Sequence, residues 1–445
     1  MITRDQFIDA HQSEFVQELA TLVSFKSTSA TGDDIEATVT YLNHWLHDNL
    51  KAKVEIISTA GNPIILATIV GCSSSTTLFY GHYDVMTPGD LDAWQQDPFV
   101  LTARHHRYYG RGAGDNKGQL MAQLLGIYTY LQLHQQLPFT VKLLIEGEEE
   151  QGSRNLASTV THLAENQLQD VKTAIVVDGS MNPDGTHVLR LGNRGLLAFE
   201  LDVTTGEHDN HSGNLGNVMP NAAMKLWQAL EQLYDFQTQQ VRIPGFYDGV
   251  DSPTTTEQQW LAQLPYDAKQ VAQQSGLANL SLDKMAYYQA LMFQPTFNIN
   301  QMLAGDTGAG VKTIVPHRAD AKIDCRLVGK QSPKKIYTAI QQLFAADDQI
   351  QVQPLGMIPP AQTDAHAPQI AWLTQAIQRA TGQVSIEPVM PGTVPNYVWT
   401  DILKVPTFTI PYANYDQHNH DCNENIEQSA FLAGIRISYE ILNQK

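Results

Sequence analysis

Apolar and polar positions follow two alternating patterns along the first 180 residues. Apolar residues recur at helical spacing over residues 7–23 and 35–50, and again over 117–133 and near 155–166. Short continuous apolar runs predict buried strands in PIILATIV, TTLFYGHYDV, FTVKLLIEG and TAIVVDGS. Strands that alternate with helices predict an α/β fold whose mainly parallel sheet is sandwiched between helices.

The pattern changes after GNRG at residues 192–195. LLAFELDVTT alternates like a half-exposed strand, helices are predicted over 222–233 and 256–264, and VKTIVPHRADAKIDCRLV supplies two strands with a break at proline. SPKKIYTAIQQLF reads as a helix with Ser332 as its cap. The first pattern resumes from about residue 363, with helices over 368–381 and 427–442. We therefore expect a discontinuous catalytic domain, 1–194 and 357–445, and an inserted α+β sandwich domain, 195–356.

Composition narrows the classes of function. The chain has 445 residues, more than a single hydrophobic core usually holds. Its formal charge of −18 argues against nucleic acid or an anionic membrane surface as a partner, because both attract basic surfaces. No apolar run reaches the length of a membrane span, and the N-terminus lacks the apolar core of a signal peptide. Three widely separated cysteines without a CxxC pair fit a reducing compartment, so we expect a cytoplasmic protein.

Imidazole and carboxylate groups collect at the predicted ends of strands and in adjoining loops. His82 and Asp84 stand two residues apart at a strand end, where positions i and i+2 share a face. That pair alone is most simply a histidine hydrogen-bonded to its neighbour. Four further segments add such groups: GRGAGDNKGQ with Asp115, EGEEEQGS with Glu146 to Glu150, VVDGS with Asp178, and HNHDCNEN with His418 and His420.

Each of these groups has an ordinary structural explanation, as a helix cap, a solvated turn or a surface loop. Together they occur where parallel sheets bind ligands, beyond the carboxyl ends of the strands. Imidazole with carboxylate suits Zn, Mn, Co or Fe, whereas an all-oxygen site would favour Mg or Ca. The sequence has no HExxH helix, no GxGxxG or P-loop spacing, and no GxSxG elbow, which disfavours mononuclear zincins, nucleotide binding and serine hydrolases.

Several motifs in order and spacing resemble one known family. GHYDVM with WQQDPF, then GRGAGDNKG, EGEEEQGS, GNRG, HSGNLG, GAGVKTIVP and HDCNEN are similar to motifs of the M20 family of dinuclear metallopeptidases. That family includes carnosinase-like and cysteinylglycine dipeptidases, carboxypeptidase G-type enzymes, acetylornithine deacetylase and succinyl-diaminopimelate desuccinylase. The resemblance covers nearly the whole chain.

The resemblance implies two divalent metal ions per subunit, Zn, Mn or Co, and a role for each matching residue. His82 and Asp178 would bind one ion, Glu150 and His420 the other, and Asp115 would bridge both. Paired glutamates before x-Gly-Ser select Glu149 as general base and leave Glu148 as an extra acid. His420 is chosen over His418 because HDCNE matches the family's His-x-x-Asn-Glu pattern. Asp84 would orient the ring of His82.

The activity implied is hydrolysis of the amide bond of a dipeptide or N-acyl amino acid by a water bridged by the two metals. His211 in HSGNLG resembles a histidine that stabilises the oxyanion from the partner subunit, which implies a homodimer formed by the inserted lid domain. Within the family, the alternative is an N-acyl amino acid deacylase or desuccinylase. Outside it, the alternative is a non-catalytic metal or amino-acid binding protein, which the presence of Glu149 disfavours.

The substrate pocket departs from the carnosinase-like pattern. PVMPGTVPN keeps Gly392 and Thr393, but Val389 stands where those relatives carry an arginine for the substrate carboxylate. An apolar side chain cannot pair a carboxylate. Either another cation, such as Arg326 or Lys312, replaces that arginine, or the substrate end is larger, neutral or differently placed. We hypothesise that Val389 and Met390 line a more apolar pocket that prefers bulky or acylated groups, so that carnosine-like dipeptides are poor substrates.

Overall fold

The structure of the protein is a computed structural model that describes residues 2–443. These residues form 21 strands and 12 α-helices. The strands are β1 (Lys53–Ile57), β2 (Ile64–Ile69), β3 (Ser73–His82), β4 (Thr102–Arg104), β5 (Arg107–Tyr109), β6 (Phe139–Glu146), β7 (Val171–Val176), β8 (Val188–Arg190), β9 (Gly192–Asn193), β10 (Gly195–Thr204), β11 (Asn210–His211), β12 (Tyr234–Asp235), β13 (Gln240–Val241), β14 (Asn298–Ala304), β15 (Ile314–Val315), β16 (Arg318–Leu327), β17 (Ile350–Ile358), β18 (Ala361–Gln362), β19 (Ser385–Glu387), β20 (Thr407–Thr409) and β21 (Asn425–Glu427). The helices are α1 (Arg4–Ser24), α2 (Ile35–Leu50), α3 (Lys117–His134), α4 (Leu156–Ala164), α5 (Ser212–Leu215), α6 (Ala222–Leu233), α7 (Thr255–Gln263), α8 (Ala268–Gln274), α9 (Lys284–Phe293), α10 (Pro333–Phe344), α11 (Gln369–Thr381) and α12 (Gln428–Leu442).

An eight-stranded sheet organises the first and last parts of the chain, in the order β1-β2-β6-β3-β7-β20-β8-β19. Its four central strands, β6, β3, β7 and β20, run parallel. Strand β2 pairs antiparallel with β6 on one side, and β8 pairs antiparallel with β20 on the other. The predicted α/β class with a mainly parallel sheet is therefore confirmed. Strand β20 comes from the C-terminal part of the chain yet lies between β7 and β8, so the sheet needs both ends of the sequence.

Helices cover both faces of this sheet, which explains the continuous apolar runs of its strands. Phe79 of β3 packs in the core beneath α1, α2, α3, α11 and α12. Its neighbours Leu78 and Tyr80 point to the opposite face and pack against α4 and residues 398–402. Successive residues of a strand face opposite sides, so both kinds of position are apolar here.

A second, four-stranded antiparallel sheet lies between residues 195 and 358, in the order β14-β16-β10-β17. Buried residues alternate with half-exposed ones along β10 and β16, and α6 and α10 pack on the buried face. This agrees with the alternating pattern read from LLAFELDVTT. The exact borders of an inserted domain, 195–356, stay a prediction.

Helices α7 and α9 extend from the region of the second sheet towards the first. Trp260 of α7 packs against the core of the eight-stranded sheet, and α7 contacts its edge strand β19. Leu261 of α7 and Phe293 of α9 form a small apolar cluster with Val389, just beyond β19. None of the helices between residues 2 and 443 combines the length and the apolar character that a membrane crossing requires.

Candidate active site

Six side chains from separate parts of the chain meet at the carboxyl end of the central sheet. Their ligand atoms form two groups, and the atoms of each group lie within 4.8 Å of one another. One group is His82, Glu149 and Asp178, and the other is Asp115, Glu150 and His420. We call these residues the six-residue cluster, and all of them are among those singled out from the sequence.

The topology brings these side chains together. His82 is the last residue of β3, and Asp178 stands two residues beyond β7. Glu149 and Glu150 lie on a short 3₁₀ turn, Glu149–Gln151, just after β6. Asp115 lies two residues before the start of α3, and His420 lies in the loop between β20 and β21. Because β3, β6 and β7 are adjacent and parallel, their carboxyl ends deliver three of these segments to one edge.

Asp115 lies between the two groups. Its Oδ1 is 3.3 Å from Nε2 of His82, and its Oδ2 is 3.2 Å from Nε2 of His420. The same His420 nitrogen is 2.9 Å from Oε2 of Glu150. One carboxylate thus faces an imidazole of each group, which is the arrangement expected of a bridging ligand.

Asp84 orients two parts of the site at once. Nδ1 of His82 lies 3.1 Å from the backbone carbonyl oxygen of Asp84 and 3.3 Å from its carboxylate Oδ1. The carboxylate also accepts hydrogen bonds from the backbone N–H groups of Glu149, at 3.2 Å, and Glu150, at 3.1 Å. Asp84 therefore holds the glutamate turn as well as the imidazole, a second task that the i, i+2 spacing did not predict.

Glu424 holds the loop that carries Asp115. Its buried carboxylate accepts hydrogen bonds from the backbone N–H groups of Gly112, Gly114 and Asp115, at 2.8 to 3.0 Å. It also pairs with the buried guanidinium of Arg111 at 2.7 Å. Sequence reasoning missed this function of Glu424, although its signal was present as the glutamate of the HDCNE motif.

Glu148 faces away from the six-residue cluster. Its Oε2 accepts a hydrogen bond from Nδ2 of Asn155 at 2.5 Å. A Cβ atom added at Gly61 would collide with the Glu148 carboxylate, so this glutamate lies against the backbone of that turn. Of the three consecutive glutamates, only Glu149 and Glu150 point to the other ligand atoms.

Burial and crowded charge shift the pKa values of the cluster in opposite directions. Burial, helped by the Asp115 carboxylate, raises the pKa of Asp178 to about 6. Burial likewise holds the pKa of Glu149 well above its ordinary value. Burial alone would raise the pKa of Asp115, but the imidazoles of His420 and His82 that face its carboxylate outweigh burial and lower that pKa. Hydrogen bonds to Asp115 and Glu150 raise the pKa of His420 to about 10. The anionic groups need positive charge between them.

The donor set fits divalent cations. Nε2 of His82 is buried and makes no hydrogen bond of acceptable geometry, although the Asp115 carboxylate faces it. Leaving a buried polar atom without a partner is unfavourable. A metal ion would use the lone pair of this nitrogen and neutralise the neighbouring carboxylates. Mixed imidazole and carboxylate ligands suit Zn, Mn, Co or Fe better than Mg or Ca.

Two arginines converge on the segment that contains Thr393. Nη1 of Arg326 donates to Oγ1 of Thr393 at 2.7 Å, and Nε of Arg194 donates to the carbonyl oxygen of Pro391 at 2.7 Å. Burial, and secondarily the charge of Arg326, lowers the pKa of Arg194 to about 10. Within residues 2–443 Arg194 has no carboxylate in ion-pair contact, and Arg326 has only Asp324, at 3.8 Å. Sequence reasoning named Arg326 and Thr393 but missed Arg194, whose signal was the GNRG motif.

The remaining residues proposed for the substrate pocket occupy different environments. Gly392 is exposed, next to Thr393. Val389 is only 5% exposed and packs against Leu261 and Phe293 of helices α7 and α9. Lys312 is exposed in the loop that precedes β15. An apolar substrate pocket around Val389 stays a prediction.

His211 lies apart from the six-residue cluster in its own chain. It is exposed on β11, which pairs with β15 beside the second sheet. Its Nδ1 accepts a hydrogen bond from the N–H of Gly213 at 2.9 Å, and its Nε2 lies 3.3 Å from Oγ1 of Thr313. Among the described residues, no hydrogen bond or ion pair joins His211 to the cluster.

Comparison with known proteins gives consistent similarities. A family model described as peptidase family M20/M25/M40 matches residues 78–444. The β-Ala-His dipeptidase of Rattus norvegicus is 27% identical, over 97% of this chain and 93% of the relative. The Cys-Gly metallodipeptidase dug1 of Schizosaccharomyces pombe is 25% identical, over 97% of this chain and 95% of the relative. The crystal structure of the M20 family metallo-carboxypeptidase Sso-CP2 from Sulfolobus solfataricus matches with a TM-score of 0.86 at 31% identity, covering 96% of this chain and 98% of that one.

Proposed function

The chain belongs to peptidase family M20/M25/M40, and we propose that it is a metal-dependent dipeptidase whose reaction takes place at the six-residue cluster. The observation that carries this proposal is the position of Asp115 between two groups of ligand atoms. The names of its relatives, a β-Ala-His dipeptidase and a Cys-Gly metallodipeptidase, support a dipeptide as the substrate.

Two divalent ions per chain, Zn, Mn or Co, account for the two groups. We assign His82 and Asp178 to one ion, Glu150 and His420 to the other, and Asp115 to both. Such ions, when bound, act as Lewis acids on the scissile carbonyl and lower the pKa of a nearby water. Asp84 keeps His82 in the tautomer that leaves Nε2 free to bind, because Nδ1 faces the Asp84 oxygens.

Glu149 is our candidate for the general base. Its backbone is fixed by Asp84, and its carboxylate lies beside His82 and Asp178 at the centre of the site. In this role it accepts a proton from the attacking water and passes that proton to the leaving amine. A non-catalytic binding protein would have no use for such a group.

The Arg194 and Arg326 pair is our candidate for the site that binds the substrate carboxylate. Two guanidinium groups near one segment repel each other unless an anion lies between or beside them, and Asp324 alone is a distant partner for Arg326. Arginine pairs well with a carboxylate, and the Thr393 hydroxyl already contacts Arg326. These contacts support Arg326 over the exposed Lys312 as the residue that replaces the arginine expected from the carnosinase-like pattern.

The test is amine release from matched substrates in the presence of Mn, Zn or Co. A small dipeptide, its C-terminal amide and the corresponding N-acetyl amino acid separate a dipeptidase from a deacylase. We expect the dipeptide to be hydrolysed fastest, the amide to be a poor substrate, and a chelator to abolish activity that added metal restores. Faster hydrolysis of the N-acyl amino acid would favour the deacylase alternative, and activity that survives complete metal removal would contradict the proposal.

We further propose that His211 acts in the site of a partner subunit within a homodimer. Its exposure and its separation from the cluster of its own chain support this role. Helix α6 beside the second sheet exposes Met224 (69%) and Trp227 (47%), one turn apart, as an apolar surface for such contact.

Mixing His211→Ala protein with Glu149→Ala protein tests this arrangement. Each variant alone should be nearly inactive, and heterodimers should regain part of the activity because one of their two sites is intact. If subunit exchange is verified and activity still does not recover, that result would contradict a role of His211 in the partner's site.

A cytoplasmic location is also part of the proposal. Cys72, Cys325 and Cys422 are all unpaired in the structure. Free thiols are typical of a reducing compartment.

A further inference from the structure

A cavity of about 480 Å³ lies at the edge of the eight-stranded sheet opposite the six-residue cluster. It runs between helix α11 and the first residues of β3 and β7, and we call it the α11 cavity. Thr77 of β3 lines it, five residues before His82. At about 3.3 Å per residue, the two side chains are separated by roughly 17 Å along one strand. The α11 cavity is therefore a different place from the site proposed for peptides.

The lining of this cavity is positively charged in an acidic protein. The chain has 46 acidic and 28 basic residues, yet among residues 2–443 the cavity is lined by Lys172 and Arg379 and by no carboxylate. Among the described residues, Lys172 has no ion-pair partner. Arg379 pairs with Glu440 at 2.7 Å, but Glu440 is shared with Arg4 at 2.6 Å. The positive charge at the cavity is therefore only partly neutralised, which favours an anion.

Polar groups in the wall lack partners. Thr77 is 4% exposed, and its hydroxyl makes no hydrogen bond with the described residues. Gln369 donates through Nε2 to Oγ1 of Thr173 at 3.2 Å, while its buried Oε1 receives no donor. Helix α11 begins at Gln369 without a side-chain cap, and Pro368 and Gln369 at its start line the cavity. Thr77 lines the cavity with this hydroxyl unbonded, so an anionic oxygen bound there would accept a hydrogen bond from it.

An aromatic wall completes the cavity. Trp372 stands edge to face with Phe139, with ring centres 5.9 Å apart at 90°. Its Nε1 donates to the carbonyl oxygen of Ile441 at 3.1 Å, which fixes the orientation of the indole. A fixed aromatic surface beside two cations suits a ligand with a flat ring.

We propose that the α11 cavity is a second binding site, for a small aromatic anion: a planar ring that carries a phosphate or a carboxylate group. Lys172, Arg379 and the Thr77 hydroxyl bind the anionic group, and the ring packs against Trp372. The volume of the cavity is in the range of small-molecule sites. This site is independent of the proposed peptidase reaction, and its occupation does not require the metal ligands.

The test is calorimetric titration of the metal-loaded, full-length protein with four probes. Adenosine 5′-monophosphate and benzoate carry the two candidate anionic groups on a ring, whereas adenosine lacks the charge and inorganic phosphate lacks the ring. We expect at least one of the two aromatic anions to bind with a Kd below about 1 mM. Adenosine and phosphate should each bind at least about tenfold more weakly than the better aromatic anion, because each lacks one of the two contacts.

Two variants locate the binding. Lys172→Gln removes an exposed, unpaired charge, and Thr77→Val removes the hydroxyl at constant shape; each should weaken the better probe about tenfold. Lys53→Gln, an exposed strand lysine elsewhere, and Thr129→Val, a buried threonine with an unpaired hydroxyl in α3, are the matched controls and should change nothing.

Two results would overturn the proposal. One is the absence of measurable binding of both aromatic anions. The other is binding that Lys172→Gln leaves unchanged, because the probe would then occupy another place, such as the metal ions. Melting temperatures of all four variants show whether Thr77→Val folds, and Lys172→Gln decides the question if it does not.

Discussion

Replacing each of the glutamates at positions 148, 149 and 150 by glutamine should give three different results. Glutamine keeps the size of the side chain and one carbonyl oxygen, but it carries no negative charge and accepts no proton. Glu149 and Glu150 belong to different groups of the six-residue cluster, whereas Glu148 bonds to Asn155 outside it. The chain thus contains its own matched comparison of neighbouring positions.

The magnitudes follow from these environments. Glu149→Gln removes the proposed base, so kcat should fall by about 10²- to 10⁴-fold, or about 2.7–5.5 kcal/mol of activation free energy, while both metal ions stay bound. Glu150→Gln removes a charged ligand 2.9 Å from His420, so one of the two ions should bind at least about tenfold more weakly. Glu148→Gln keeps a side-chain oxygen that accepts from Asn155, so this variant should lose only about 0.5–1.5 kcal/mol of unfolding free energy and keep its kcat.

The assay combines three measurements on the same preparations: dipeptide hydrolysis at saturating metal, metal content after dialysis, and urea unfolding. Glu55→Gln, an exposed glutamate on β1, is the control for a change of net charge. Equal loss of kcat in the variants at 148 and 149 would refute the assignment of the base. Loss of metal from Glu149→Gln to the same extent as from Glu150→Gln would show that Glu149 is a ligand.

Three further predictions follow from buried or paired charges. Arg326→Met should raise KM for dipeptides about 10- to 100-fold, since it removes about 1.5–3 kcal/mol of charged hydrogen bonding. The same variant should leave the hydrolysis of C-terminal amides unchanged. An equal effect on both substrates would contradict a contact between Arg326 and the substrate carboxylate. Arg111→Met should cost about 3–5 kcal/mol of unfolding free energy by leaving the buried Glu424 carboxylate unpaired, measured by urea unfolding, and a loss below about 1 kcal/mol would refute this. Burial raises the pKa of Glu146 from 4.5 to about 7, although the Tyr80 hydroxyl bonded to it opposes the rise. The folded state therefore binds the proton more tightly, so a contribution of up to about 3 kcal/mol, complete below about pH 4.5, is lost as pH rises through about 7. Glu146→Gln should remove this loss in unfolding measured on metal-free protein, and an unchanged pH profile would contradict the assignment.

The sequence predicted those parts of the site that depend on local pattern. The run TTLFY ends in three consecutive apolar residues, which places apolar side chains on both faces of the strand. Phe79 and Tyr80 do pack on opposite faces. Once β3 was recognised as a parallel strand, His82 had to lie at its ligand-binding end. The turn after β6 and the loop before α3 followed by the same reasoning.

Contacts between distant segments could not be predicted in this way. Glu424 lies about 310 residues along the chain from Gly114 and Asp115, whose N–H groups donate hydrogen bonds to it. The sequence around Glu424 indicates a loop but does not show that this loop contacts the Asp115 loop. Arg194 reads as part of a glycine-rich turn, and only the fold brings it to Pro391. The packing of Val389 against Leu261 and Phe293 likewise joins distant segments, and the sequence pattern does not reveal it.

The place of β20 in the sheet has a consequence for the time at which the enzyme is completed on the ribosome. β7 ends at Val176 and β20 begins at Thr407, although the two strands are neighbours. At roughly 5–20 residues per second, the roughly 230 intervening residues take about 10–50 s to synthesise. During that interval the growing chain carries an unpaired edge at β7, which is open to wrong pairing or to chaperones.

His420 and Glu424 emerge from the ribosome later still. Until then, one group of ligand atoms lacks its imidazole and the Asp115 loop lacks the carboxylate that holds it. A nascent chain that stops before residue 420 therefore contains most of the candidate ligand residues but not the assembled centre, so cleavage of peptides begins only after residues 420–424 have been synthesised.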